Sequence, residues 1–158
     1  MSLTEKEIRQ MIKIARATRS KAFAHRSGHK IGASVLTDTG EVFGGCNIES
    51  VISGLGSCAE RTAIDHAITH GQYNVRAICT VDDGMTPMCG ACLQYALLFS
   101  QMSDDEIFVV NADSKNHYNV TPLSTLLPQG YKTKSNLQQI KAYKNGKGKK
   151  KKRKKQKH

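Results

Sequence analysis

The sequence predicts an α/β fold: a single domain of three layers in which helices cover a mixed sheet of about five strands. Three observations carry this. A chain of 158 residues is the size of one domain and buries enough surface for a real core. Segments with apolar residues three and four apart alternate with short runs rich in branched residues. Turn residues separate the segments.

Thr4 and Glu7 form a capping-box pair ahead of Ile8, Met11, Ile12 and Ala15, which predicts an amphipathic helix over residues 4 to 19. Residues 31 to 37, the turn Asp38-Thr39-Gly40 and residues 41 to 46 read as a hairpin. Residues 77 to 81 and 107 to 110 suit buried strands. Two helices fall between these strands, residues 58 to 70 closed by Gly71 and residues 90 to 99 after Pro87. A weaker last strand is expected near Tyr118, and after Pro128 and Gly130 the pattern fades. The domain is therefore placed at residues 1–140, and residues 141–158 are expected to be a disordered, lysine-rich tail.

The net charge of +11 suggests a nucleic-acid partner, but its distribution matters more than its sum. Eleven of the 24 basic residues lie in 141–158 with no acid beside them, which leaves residues 1–140 formally neutral. No apolar run approaches the roughly 20 residues that span a bilayer, and the first residues lack a signal-peptide profile. A cytoplasmic protein without a membrane partner is expected, with the tail as a possible nuclear import signal. The cysteines, Cys46, Cys58, Cys79, Cys89 and Cys92, are odd in number, which argues against a disulfide framework and for thiols or metal ligands.

Cys58, Ala59 and Glu60 open one predicted helix, and Cys89, Gly90, Ala91 and Cys92 open the next. Free backbone N–H groups and the helix dipole favour thiolate there, so two such starts facing one point make a metal site of three sulfurs. A closed structural zinc site is the plainer use of a C-x-x-C pair. Such sites take four protein ligands, whereas three leave a position for water. Cys46 ends a strand and Cys79 lies within one, which suits neither to a fourth ligand. Beside an open zinc, Glu60 can carry protons, and Arg61 can donate hydrogen bonds to the anionic sulfurs.

The run GCNIESVISGLGSCAERTAI, residues 45–64, and the run PMCGACLQ, residues 87–94, resemble the two zinc motifs of the cytidine deaminases. The resemblance extends more loosely from Thr4 to Tyr131, and it implies the cytidine deaminase fold and one zinc ion per chain, held by Cys58, Cys89 and Cys92. It makes Glu60 the proton shuttle in hydrolysis of cytidine or deoxycytidine to uridine or deoxyuridine and ammonia. Asn47 and Glu49 match the pair that grips the ribose hydroxyls, and the Ala59 N–H would meet the base carbonyl. Tyr131 matches an aromatic that reaches a neighbouring subunit's site in a homotetramer.

Departures from the family pattern mark a divergent member. His29 stands where an aromatic stacks on the base, Met88 where proline precedes the first paired cysteine, and Leu93 where arginine follows the second. The alternatives within the fold are a polynucleotide cytosine deaminase aided by the tail and a deaminase of blasticidin S type. Outside enzymes, the alternative is a catalytically silent zinc domain whose work is nucleic-acid binding through the tail, and in either case the tail is expected to bind nucleic acid weakly and nonspecifically. Asn47 and Glu49 favour a free pyrimidine nucleoside, and the intact Glu60 speaks against a silent domain.

Overall fold

The structure, a computed structural model, describes residues 2–144. Thr4 begins the first helix as the capping box requires: its side chain accepts from the Glu7 amide at 3.2 Å, and its own amide donates to Glu7 Oε2 at 2.8 Å. Helix α1 (Glu5–Arg19) buries Ile8, Met11, Ile12 and Ala15. These side chains meet Leu36, Ala77, Cys79, Val81 and Val110 of the sheet.

Strands β1 (Gly32–Thr37) and β2 (Val42–Cys46) form the expected hairpin, and Gly40 at its turn adopts a positive φ of 85°. Helix α2 (Ala59–Thr69) precedes β3 (Val75–Val81), and helix α3 (Gly90–Ser103) joins β3 to β4 (Phe108–Ala112). β3 and β4 pair in parallel, which makes this stretch a β-α-β crossover. Strand β5 (Tyr118–Pro122) closes the sheet in the order β2-β1-β3-β4-β5, with every other pair antiparallel. The mixed five-stranded sheet is as expected.

The pleat sorts alternate residues to opposite faces. On β3, Ala77, Cys79 and Val81 face α1, whereas Ile78 joins the cluster of Ala63, Ile64, Ala96 and Leu97 from α2 and α3, and a register shift opposite Leu36 and Thr37 breaks the alternation so that Val75 joins that cluster too. α1 thus forms one outer layer, and α2 with α3 forms the other. Close approach of α2 to the sheet depends on Gly45, where a Cβ would lie 2.4 Å from the Ala63 amide nitrogen and 2.6 Å from the Ala59 carbonyl oxygen.

Two short helices escape the sequence pattern. Helix α4 (Leu123–Leu126) follows β5 directly, and helix α5 (Leu137–Lys144) packs on α3. α5 offers only Leu137 and Ile140 as large aliphatic residues, too few for a visible period, and an ion pair from Lys141 Nζ to Asp104 Oδ2 at 2.5 Å helps to hold it. Residues 141–144 are therefore helical, not part of a structureless tail. The rest of that tail, residues 145–158, lies outside the described residues.

Candidate active site

Cys58 and Cys89 are the N-cap residues of α2 and α3, both in extended conformation, so the chain arrives on each side as a loop and turns into a helix at a cysteine. The fold aims these two starts at one point. The sulfurs of Cys58, Cys89 and Cys92 lie within 4.8 Å of one another. Cys89 Sγ also accepts from the Cys92 amide at 3.4 Å, which uses one of the free amides of the first helical turn.

The donor set fits zinc. Tetrahedral zinc with bonds near 2.3 Å holds its sulfurs about 3.8 Å apart, and Cys58 and Cys89 stand at 3.9 Å. Hydrogen bonding from Cys92, with further help from Arg61, lowers the pKa of the Cys58 thiol and so favours its thiolate form. Arg61 sets Nη2 3.8 Å from Cys58 Sγ, while its buried Nε finds no partner among the described residues. Cys46, half-buried, is outside the triad. Cys79 is core, and burial pushes its thiol up to about 12.

Glu60 is 5% exposed, in the first turn of α2. Burial is the main influence on its carboxyl and raises its pKa, and the negative charge of Cys58 adds to the effect. A carboxyl held above its ordinary range is suited to carry a proton near neutral pH.

Cys58, Glu60 and Cys89 open onto a cavity of about 540 Å³ whose walls include Asn47, Glu49 and Arg61. Asn47 Oδ1 accepts from the Ile31 amide at 2.9 Å, and its Nδ2 donates to the His29 carbonyl at 2.9 Å. Glu49 accepts from the Arg26 amide at 2.7 Å, the Ser27 amide at 3.1 Å and the Ser27 hydroxyl. Both side chains thus brace the 26–31 loop while facing the cavity. Ala59, the first residue of α2, is fully buried beside the triad.

Two sequence-selected residues stand apart. His29 lines a different cavity and sets Nε2 3.4 Å from Asp82 Oδ2. Tyr131 is 77% exposed and outside the main cavity, with its amide and carbonyl both bonded to the Gln94 side chain at 2.8 Å.

Sequence reading missed the polar network behind the second cysteine motif. Asp82, 3% exposed, accepts from the Thr86 amide at 2.8 Å and from the Thr86 hydroxyl. Asn111 of β4 donates to the Thr86 carbonyl at 3.1 Å and to Thr80 Oγ1 at 2.8 Å. The loop that delivers Cys89 is thereby fastened to the sheet. Two adjacent aspartates at a strand end were the available signal for Asp82. Asn111 carried none, because its partners are 25 and 31 positions away.

Three cysteine sulfurs at two helix starts, beside a buried protonatable glutamate on a cavity floor, define a zinc-dependent hydrolytic deaminase site. Residues 5–109 match the cytidine and deoxycytidylate deaminase zinc-binding region, and the chain belongs to that family. It is 34% identical over 115 residues to a probable cytidine deaminase of Dictyostelium discoideum, which covers 70% of this chain and 76% of the relative. Over 127 residues it is 28% identical to a cytidine deaminase of Sporosarcina psychrophila, covering 79% of this chain and 91% of the other. The crystal structure of a cytidine deaminase from Burkholderia pseudomallei superposes with a TM-score of 0.70 at 34% identity, covering 82% of this chain and 100% of that one.

Proposed function

We propose that the protein hydrolyses cytidine and deoxycytidine to uridine and deoxyuridine with release of ammonia. The observation that carries this reading is the buried Glu60 beside the Cys58, Cys89 and Cys92 sulfurs, on a cavity walled by Asn47 and Glu49. These cysteines would hold zinc, which when bound brings the pKa of water to near 7 and so supplies hydroxide at neutral pH. Glu60 accepts the proton that water gives up and passes it to ring nitrogen 3 of the base, then takes a second from the hydroxyl added to the reacting carbon and delivers it to the departing amino group, so that the C–N bond breaks as the new carbonyl forms. Its raised pKa suits both halves of that traffic. The Ala59 N–H meets the base carbonyl. Asn47 and Glu49 grip the ribose hydroxyls with the hydrogen-bonding capacity left over from bracing the 26–31 loop.

The finer assembly is part of the same reading. Val51, Ile52 and Leu55 are 84%, 59% and 70% exposed on the loop between Glu49 and Cys58, and Ile52 also lines the cavity. An apolar cluster at the rim of a binding cavity calls for cover, and a second copy supplies it in a homotetramer, with Tyr131 reaching toward a neighbour's site. The tail takes no part in deamination and gives a salt-sensitive grip on polyanions or a nuclear import signal to an otherwise cytoplasmic enzyme. Among the described residues, no helix is long and apolar enough to cross a membrane.

The test is a spectrophotometric assay of the zinc-loaded protein with cytidine, deoxycytidine, blasticidin S and a cytosine-bearing oligonucleotide, alongside Glu60→Gln. Cytidine and deoxycytidine turn over, and Glu60→Gln keeps its zinc while losing about 100-fold to 10,000-fold in rate. Turnover on the oligonucleotide alone, or a near-normal rate in Glu60→Gln, overturns the reading.

A further inference from the structure

The formal neutrality of residues 1–140 conceals a segregation of charge. Residues 1–30 carry eight basic and two acidic residues, a net of +6, whereas residues 31–140 carry five basic and eleven acidic residues, a net of −6. The positive part is α1 and the loop behind it, so it covers one outer layer of the fold. Arg9, Lys13 and Arg16 are exposed along one side of α1, four and three positions apart, a ladder about 10 Å long at 1.5 Å per residue.

This ladder lines a groove. Two cavities of about 360 and 400 Å³ meet at Arg16. The first holds Arg9, Lys13, Asn116 and Tyr118, and the second holds Arg19, Lys30, His29 and Asp83. Arg9 pairs with Glu5 and Arg19 with Asp83, while Lys13 and Lys30 make no ion pair among the described residues. Arg16 Nη2 donates to Asn116 Oδ1 at 2.7 Å, which spreads its guanidinium over the groove toward β5. Five cations against Asp83 line the path, with Glu5 at its end beside Arg9, and Tyr118, whose hydroxyl donates to Glu5 at 2.5 Å, is the aromatic along it.

We infer that this α1 groove binds a single strand of nucleic acid through its phosphates, with Tyr118 as a stacking platform for a base. A basic groove that tracks a backbone beside an aromatic ring is the recurring form of single-strand binding. A lipid surface fits less well. The exposed side of α1 offers only Ala17 between its cations, with Ile12 buried, so no apolar anchor enters a bilayer. The groove ends at the 28–30 stretch, whose neighbours Ser27 and Ile31 wall the deaminase cavity, so the strand lies behind that wall and outside the site itself.

The experiment uses the zinc-loaded full chain with the basic run 149–155 changed to glutamine, so that the tail does not mask the groove. The probe is a fluorescent oligothymidine of about twelve nucleotides, which has no amino group to lose. Affinity is read by anisotropy between about 50 mM and about 200 mM salt. Lys13→Gln with Arg16→Gln lowers affinity about tenfold and flattens the log–log salt slope by about 1.4, because single strands contribute roughly 0.7 per contact. Tyr118→Ala weakens binding about fivefold or more without changing the slope. Cytidine turnover and the circular dichroism spectrum stay at wild-type values in both. The pair Lys132→Gln and Lys134→Gln, with the same charge change elsewhere, leaves binding unaltered. Equal loss in that pair, an unchanged slope in the α1 pair, or loss confined to anionic phosphatidylserine vesicles overturns the inference.

Discussion

His29 Nε2 stands 3.4 Å from Asp82 Oδ2, which turns the ring toward the loop that delivers Cys89 instead of into the deaminase cavity. Asp82 is almost wholly buried and takes its hydrogen bonds from the Thr86 amide and hydroxyl, so His29 lies against a carboxylate already satisfied by its own loop. His29 thus stands at the junction of the 26–31 loop and the end of β3.

From that contact, His29→Ala leaves the KM for cytidine within about twofold and lowers stability by roughly 0.5 kcal/mol, the worth of a half-exposed polar pair. Steady-state kinetics and urea denaturation read the two effects. A KM raised tenfold with unchanged stability would mean that the ring swings into the cavity when substrate binds.

Metal content follows the sulfur triad. The wild-type chain carries one zinc, and Cys58→Ala carries far less, because two thiolates on α3 alone do not complete the set. Cytidine turnover falls with it. Elemental analysis beside the assay settles the matter, and full zinc with full turnover in the variant removes Cys58 from the ligands.

Gly45→Ala destabilises the protein by about 1–3 kcal/mol, the usual cost of forcing a methyl group into a packed layer. Its Cβ meets backbone atoms of α2 at 2.4 and 2.6 Å, which no side-chain rotation relieves. Since Cys58 is the N-cap of α2, zinc retention during dialysis against a chelator falls as well. Thermal denaturation and residual metal are the measurements.

Glu7 links the start of α1 to the sheet. Its carboxyl is held below the ordinary value of 4.5, first by the Thr4 amide and then by Arg76, whose Nη1 is 2.7 Å away. A lowered folded pKa contributes stability that is present above the unfolded value and lost as pH falls through the folded one. Glu7→Ala therefore costs about 1 kcal/mol at neutral pH, and the gap to wild type closes toward about pH 3. Urea midpoints at the two pH values test it. A gap that persists in acid would leave packing, not charge, as the cause.

Much of this molecule was legible from neighbours along the chain. The Thr4–Glu7 box, the three-and-four spacing in α1 and the turn at Gly40 are properties of residues within four positions of each other, and each formed where the sequence placed it. The cysteine motifs were legible for the same reason, because an N-cap cysteine and a glutamate two places on are set by one helix start. Helix α5 was not, since two large aliphatic residues on eight positions carry too little period, and its support comes from α3 beneath it.

Residues alone thus decided the strands, the three long helices and which side chains could ligate zinc, but not α4 or α5. The tertiary structure decided what those side chains face. Cys58 and Cys89 are 31 positions apart and meet because α2 and α3 cover the same face of the sheet. His29 turned to Asp82, Glu49 was taken up by the 26–27 amides, and the basic residues of α1 came to line one groove. Each of these depends on the order β2-β1-β3-β4-β5, which brings distant loops to one edge and sets α1 on the opposite face from α2 and α3. Local hydrogen bonds and periodicity are encoded within a few residues, whereas a side chain's partner across the fold is fixed only when the sheet closes.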